Sequence, residues 1–278
     1  MTRAPVIHHA PGLQRSHRRF DRAGLRIAAD ADPSVNRSVG LDLFRCWNWF
    51  QQANLQRGSG EPSLIAGITH WVEQHYAIDA DRVYVTGFSA GVAMSSVMAA
   101  TYPDLYATAG VGSGCEYAAT VACVGSKGTD PSQAGREAYM AMGSHARPIP
   151  VVVFNGDQDD VVPPANGEQV VQQWLVTDSL AGGGWASASS FGSAPATVSN
   201  GQVPNGRSYT VTAYSGGRGA DTTQWVSDRH GTDLITHWVV HEMGHAWSGG
   251  CSCEQYSDPA GPDETTAMYA FFMNHPMS

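Results

Sequence analysis

A serine between two glycines is the first group in the chain that could do nucleophilic chemistry. Residues 87–91, Gly-Phe-Ser-Ala-Gly, match the G-x-S-x-G pattern, in which a sharp strand-to-helix turn exposes the serine hydroxyl. The turn needs small neighbours because its strained backbone leaves no room for side chains. At the start of the following helix, the N–H of Ala90 would donate to a developing oxyanion. The pattern therefore predicts Ser89 as a nucleophile.

A nucleophilic serine needs a histidine base and a carboxylate that orients it, and folds with this elbow carry them in the order Ser, Asp/Glu, His. Asp157, Asp159 and Asp160 directly follow an apolar run that is typical of a buried strand. The triad acid should be one of these three. His245 follows the last predicted strand and lies in a glycine-rich loop, so it is the predicted base.

The same histidine also belongs to a competing motif. His241-Glu242-Met243-Gly244-His245 satisfies H-E-x-x-H, in which two histidines one helical turn apart bind zinc and the glutamate is a general base. Glu264 would be a conceivable third ligand. A β-branched run precedes the motif and Ser-Gly-Gly follows it, which is a poor setting for a long helix. We expect serine chemistry, with a zinc metalloprotease as an alternative from another class.

Composition limits the classes of function. The chain has 278 residues, 42% of them hydrophobic, and a formal net charge of −9, which argues against a nucleic-acid partner. No apolar run approaches the length of a membrane span, and none resembles the apolar part of a signal peptide. The charge is uneven, because residues 1–45 hold eight arginines against four aspartates while the remainder is strongly acidic.

Five cysteines lack the repeated C-x-x-C spacing of a zinc module, so disulfides and export are the favoured interpretation. Cys115 and Cys123 are close enough to bridge a short loop. Cys251 and Cys253 are separated by one residue and would bridge each other only with strain. Because five is odd, at least one cysteine is unpaired or has lost its partner.

Alternating helix and strand patterns predict an α/β fold with a mostly parallel sheet. A helix from Pro62 ends in a turn at residues 78–81, before a strand over 82–86 and a helix to Ala100. Asp130 and Pro131 begin another helix, which ends at Gly143. Further elements are predicted as strands over 150–154, 208–214 and 234–240, helices over 165–175 and from Pro262, and a long surface insertion over 181–206.

From Cys46 to His275 the chain resembles the secreted polyhydroxybutyrate (PHB) depolymerase and esterase family, whose relatives include feruloyl and acetylxylan esterases. The residues that carry the resemblance are the segments 46–50, 81–91, 155–159, 164–166 and 244–250. The resemblance maps the family nucleophile onto Ser89, its acid onto Asp159 and its base onto His245, with Asn155 in place of the usual histidine of the acid turn. Trp247 would form a wall for the substrate, or else pack as a buried structural residue.

The resemblance implies an α/β-hydrolase domain over residues 46–278 that cleaves polyesters of the polyhydroxyalkanoate type through an acyl-enzyme, with aromatic polyesters such as poly(ethylene terephthalate) (PET) as further substrates. A feruloyl or acetylxylan esterase is the second choice, and an inactive hydrolase-like binding protein is the third. It implies no metal or organic cofactor, no nucleic-acid or membrane partner, a monomer, and secretion.

The first 45 residues depart from this family pattern. Family members carry a strand that ends in His-Gly-Cys, whose loop gives the second oxyanion N–H and whose cysteine would bridge to Cys46. Residues 6–12 read Val-Ile-His-His-Ala-Pro-Gly, with neither the Gly-Cys pair nor a convincing strand. Our hypothesis is that the arginine-rich start is a truncated or aberrant form of the family N-terminus, which would also explain the odd cysteine.

Overall fold

A computed structural model describes residues 46–183, 197–214 and 233–277, together with the backbone of two strands, 4–10 and 25–28. Eight strands form one sheet in the order β2-β1-β3-β4-β5-β8-β7-β6. The first six strands of that order run parallel, and β7 and β6 extend the sheet as an antiparallel pair. The predicted α/β class with a mostly parallel sheet is confirmed.

The described helices alternate with these strands along the chain. In chain order the elements are β1 (Ala4–Ala10), β2 (Leu25–Ala28), α1 (Gly60–His75), β3 (Ile78–Phe88), α2 (Ala90–Thr101), β4 (Thr108–Gly112), α3 (Pro131–Met142), β5 (Val151–Gly156), α4 (Ala165–Ala181), β6 (Thr197–Gln202), β7 (Ser208–Tyr214), β8 (Ile235–Val240), β9 (Trp247–Ser248), β10 (Ser257–Asp258) and α5 (Glu264–Asn274).

Side chains alternate between two cores because successive residues of a strand point to opposite faces of the sheet. In β5, Val151 and Val153 join the core that contains α1, α2, α3 and α4. Val152 and Phe154 join the second core, which contains α5. Both faces of this parallel sheet are therefore covered, and the carboxyl ends of its strands meet at one edge, where Ser89, Asp157 and Asp159 follow β3 and β5.

The N-terminal strand is a correction to the sequence analysis. We expected no convincing strand at residues 6–12, but Ala4–Ala10 forms β1, which pairs in parallel with β2 on one side and β3 on the other. Ala10 pairs with Gly87, so β1 ends beside the nucleophile elbow. Pairing with two neighbours stabilises a strand whose own sequence pattern does not predict one.

The start of β3 is a second correction. Residues 78–81, predicted as a turn, are the first residues of an 11-residue strand. The apolar residues of α1 lie on two sides of the helix: Ile65 and Val72 are buried, whereas Leu64 and Trp71 are about half exposed. Asp130 caps α3 as predicted, because its carboxylate accepts the N–H of Ser132 at 2.8 Å.

The predicted surface insertion over 181–206 has more structure than its composition indicates. Residues 197–202 form the exposed edge strand β6, which pairs with β7, and α4 continues to Ala181 rather than ending at 175. Residues 184–196 of this segment lie outside the described part of the chain.

Two disulfides are present. Cys115 and Cys123 are bonded as expected. Cys251 and Cys253 are also bonded, with their Cα atoms 5.2 Å apart, which is within the usual range for a disulfide. Among the described helices, none has the length and apolar character to cross a membrane.

Candidate active site

Ser89 occupies a strained turn between β3 and α2. Its φ of 56° and ψ of −121° lie outside the regions that L-residues normally adopt, so surrounding contacts must hold this conformation. One contact is the bond from the Ser89 N–H to the Gly112 carbonyl oxygen at the end of β4, at 3.1 Å. Ala90 is the first residue of α2, so its backbone N–H has no acceptor within the helix. This N–H lies at the N-terminal end of the helix, which is the positive end of the helix dipole.

Asp159 and His245 form a buried, hydrogen-bonded pair. The Asp159 Oδ2 lies 2.8 Å from the His245 Nδ1, and the two side chains are 0% and 6% exposed. The other carboxylate oxygen, Oδ1, accepts the backbone N–H groups of Val161 and Val162 at 3.0 and 2.8 Å. These bonds fix the carboxylate and leave the Nε2 of His245 as the nitrogen that can exchange a proton.

A close approach of two backbone segments sets the position of the base. The N–H of Gln158 donates to the Met243 carbonyl oxygen at 3.0 Å, so the loop before His245 lies against the turn that carries Asp159. Gly156 makes this possible, because a Cβ there would collide with the backbone carbonyls of Met243 and Gly244. The glycine thereby brings acid and base together.

Ser89 and His245 line one small pocket that is open to solvent. The Phe88 ring lies against the His245 imidazole with centroids 4.8 Å apart, and Tyr256 meets the same imidazole edge-on at 5.9 Å. Val161, which is 36% exposed, completes the wall. Sequence reasoning missed Phe88, Val161 and Tyr256 as wall residues. Two signals in the sequence could have found the first two: Phe88 is the residue just before the serine of G-x-S-x-G, and Val161 is two residues from Asp159.

Asp157, two residues from Asp159, pairs with the other histidine of the competing motif. Its Oδ2 lies 2.9 Å from the His241 Nδ1, and its Oδ1 accepts the N–H of Glu242. The His241 Nε2 lies 2.9 Å from the Thr210 hydroxyl. For Asp160 the structure assigns no bond to either histidine.

The structure does not build the zinc site of the alternative hypothesis. Residues 241–246 form a turn and loop rather than a helix, so His241 and His245 do not share a helical face. Glu242 is 88% exposed on its side chain, and Glu264 binds the Ser248 N–H. In the described part of the chain, His241, His245 and Glu264 do not bring their ligand atoms together.

Trp247 lies behind the pocket rather than on its wall. Its ring meets Phe88 edge-on at a centroid distance of 6.5 Å, and its Nε1 donates to the Thr265 hydroxyl at 3.0 Å. It also packs against the core on the α5 face of the sheet. The sequence left two roles open for Trp247, a wall for the substrate or a packed structural residue. These contacts favour the packed structural residue.

Asn155, the substitution in the acid turn, pairs with a buried histidine. The Nε2 of His237 lies 2.5 Å from the Asn155 Oδ1. Burial lowers the pKa of His237 to about 4, so the ring is neutral near pH 7.

With this geometry in place, comparison with known proteins identifies the family. A family model described as esterase PHB depolymerase matches residues 21–191, more than half of the chain. The chain belongs to the esterase PHB depolymerase family. This is a family of carboxylic ester hydrolases. The match begins inside residues 1–45, the segment that we predict to be atypical.

Curated relatives in this esterase PHB depolymerase family match about half of the chain. Poly(3-hydroxyalkanoate) depolymerase C of Paucimonas lemoignei is 35% identical over 143 residues, which are 49% of this chain and 34% of that protein. Acetylxylan esterase A of Emericella nidulans is 34% identical over 143 residues, 46% of this chain and 47% of that protein. The matches thus span half or less of the relatives' length.

A solved structure supports the fold. The acetyl xylan esterase from Aspergillus awamori superposes with a TM-score of 0.59 and 20% identity, covering 87% of this chain and 84% of that one. The α/β-hydrolase architecture expected for a member of the esterase PHB depolymerase family is therefore confirmed.

Proposed function

We propose that this protein is a serine esterase that hydrolyses carboxylic esters through an acyl-enzyme. The observation that carries the proposal is the buried Asp159–His245 pair, whose histidine lines the same pocket as the strained Ser89. A carboxylate on Nδ1 keeps the proton there and frees Nε2 to act as a base. Because burial excludes water from the pair, its electrostatic effect is larger than it would be at the surface.

In the first half-reaction, the Ser89 Oγ attacks the ester carbonyl carbon while its proton moves to the His245 Nε2. The carbonyl oxygen becomes an oxyanion that accepts the N–H of Ala90. Asp159 stabilises the resulting imidazolium. His245 then gives the proton to the alkoxide leaving group, so that the alcohol departs and Ser89 remains acylated. Water, activated by the same imidazole, completes the cycle and releases the acid.

The test of this function uses a short acyl nitrophenyl ester. We expect Ser89→Ala to lower kcat by several orders of magnitude, because the nucleophile of a triad carries most of its rate. Ser63→Ala, which removes an exposed hydroxyl on α1, is the control and should keep wild-type activity. An active-site phosphonylating reagent should abolish activity and a chelator should leave it unchanged. A wild-type protein without activity above background would favour the hydrolase-like binding protein instead.

For the substrate, we propose a polyester of the polyhydroxyalkanoate type. We propose aromatic polyesters such as PET as additional substrates. The matching depolymerase relative and the apolar wall of Phe88, Val161 and Tyr256 support this choice. A second candidate is acetylxylan or feruloylated xylan, because several relatives are acetylxylan esterases. Product analysis on PHB, an aromatic polyester, acetylated xylan and feruloylated xylan separates these candidates.

We also propose that the protein is a secreted, monomeric esterase that works without a cofactor. The buried Cys115–Cys123 disulfide supports an oxidising compartment. Sedimentation of the purified protein tests the monomer, and detection in the culture medium tests export.

A further inference from the structure

Glu264 is a buried carboxyl group that the proposed mechanism does not use. It is the first residue of α5 and is 1% exposed. Its Oε2 accepts the N–H of Ser248 at 2.9 Å. Within the described part of the chain, Oε1 has no hydrogen-bond partner. An unpartnered carboxylate oxygen is costly to bury, so the position of this group needs a reason.

The unpartnered oxygen lies beside the nucleophile elbow. A Cβ placed on Gly112 would come within 2.6 Å of the Glu264 Oε1 and 3.2 Å of the Gly87 carbonyl oxygen. Gly87 opens the elbow, and the Gly112 carbonyl oxygen accepts the N–H of Ser89. The Oε1 atom therefore lies against the backbone that sets the conformation of Ser89.

The other oxygen of the Glu264 carboxyl group, Oε2, binds the segment that follows His245. Ser248 is three residues after His245 and fully buried, and its hydroxyl donates to the Pro262 carbonyl oxygen at 2.7 Å. The Trp247 indole donates to Thr265. Residues 262–265, at and just before the start of α5, thus bind the segment 247–248 at three points. Glu264 contributes one of these bonds through Oε2, while its Oε1 lies against Gly112 beside the elbow.

We propose that Glu264 is a positioning residue for the Ser89–His245 pair, in which its carboxyl group joins the base segment to the nucleophile elbow. The inference rests on the proposed esterase function. Burial raises the pKa of Glu264 well above its usual range, and the neighbouring Asp263 carboxylate acts in the same direction. Burial thus disfavours the charged form of this carboxyl group, which is held between the Ser248 N–H on Oε2 and the backbone of Gly112 beside Oε1.

The experiment compares Glu264 with a matched buried carboxyl group far from the site. Asp178 is 2% exposed, accepts the Ile149 N–H at 2.9 Å and, among described residues, has no partner for its Oδ2, but it lies at the opposite end of β5. We measure kcat and KM on a short acyl nitrophenyl ester for Glu264→Gln, Glu264→Ala and Asp178→Ala. All measurements are made below the unfolding temperature of each variant.

We expect Glu264→Gln to keep kcat within about twofold, because an amide has the same shape and keeps an oxygen that accepts the Ser248 N–H. Glu264→Ala should lower kcat about tenfold or more with KM changed less than about threefold, because misplaced catalytic groups lose rate rather than affinity. Asp178→Ala should lose stability but keep kcat within about twofold. In proton NMR, the signal of the His245 Nδ1 proton should move in Glu264→Ala and not in Asp178→Ala.

Equal kcat losses in the two alanine variants, or a wild-type kcat in Glu264→Ala, would overturn the positioning role while leaving the esterase function intact. An inactive wild-type protein would instead refute the proposed function itself. If Glu264→Ala does not fold, Glu264→Met is measured in its place, because it fills the same volume without the carboxyl group; the same loss of kcat is expected, and unchanged kcat overturns the proposal.

Discussion

Exchanging Asp159 for asparagine tests the assignment of the acid most directly. The asparagine side chain has the same shape, but one of its two oxygens becomes an NH₂ group that can only donate. The Oδ1 position already accepts the N–H groups of Val161 and Val162, so the amide oxygen must remain there. The NH₂ group then faces the His245 Nδ1 at the position where Oδ2 now lies 2.8 Å away.

The consequence is a change of tautomer. A donor opposite Nδ1 requires Nδ1 to be an acceptor, so the imidazole proton moves to Nε2, the nitrogen that must receive the proton of Ser89. Loss of the correct tautomer costs about 10⁴ in kcat in a serine-hydrolase triad, which corresponds to about 5 kcal/mol of transition-state stabilisation. The variant should fold normally, because both backbone bonds of the turn are kept.

Asp157→Asn is the matched control. Asp157 also pairs with a histidine Nδ1, at 2.9 Å, and also accepts a backbone N–H, but its partner His241 lies outside the pocket. We measure kcat and KM of both variants on a soluble nitrophenyl ester. Asp159→Asn should be almost inactive, and Asp157→Asn should keep kcat within about threefold. A loss smaller than about tenfold in Asp159→Asn, or an equal loss in Asp157→Asn, refutes the assignment.

Two further predictions concern stability. The pKa of His237 is about 4 in the folded protein, against 6.5 for an unperturbed histidine, so the unfolded state binds a proton first as the pH falls. The free energy of unfolding should therefore fall by about 3 kcal/mol between pH 6.5 and 4. Urea titrations at several pH values measure this loss, which should be much smaller in His237→Gln. Removal of the buried Cys115–Cys123 disulfide by a double change to alanine should cost about 2.5 kcal/mol, because it closes a loop of nine residues. An unchanged urea midpoint in the double variant would contradict this entropic account.

Local sequence rules predicted most elements that position the site. The strand-turn-helix around Ser89 follows from a β-branched run, two glycines and an alanine-rich segment, all within about twenty residues. Asp130 and Pro131 start α3 for reasons that are equally local. The same rules failed for β1, because its strand depends on pairing with β3, a segment more than 60 residues away in the chain.

The sequence by itself predicted the type of chemistry, because a serine on a sharp turn, acids after β5 and a histidine after β8 follow in the order of a nucleophilic triad. Only the tertiary structure decided which acid meets which histidine. Asp157 and Asp159 follow the same strand two residues apart, and their different partners depend on how the loop after β8 approaches Gly156. It also packed Trp247 against the core and brought Glu264 beside the elbow. These relations join segments distant in the chain, and no periodicity or motif encodes them because they depend on packing between those segments.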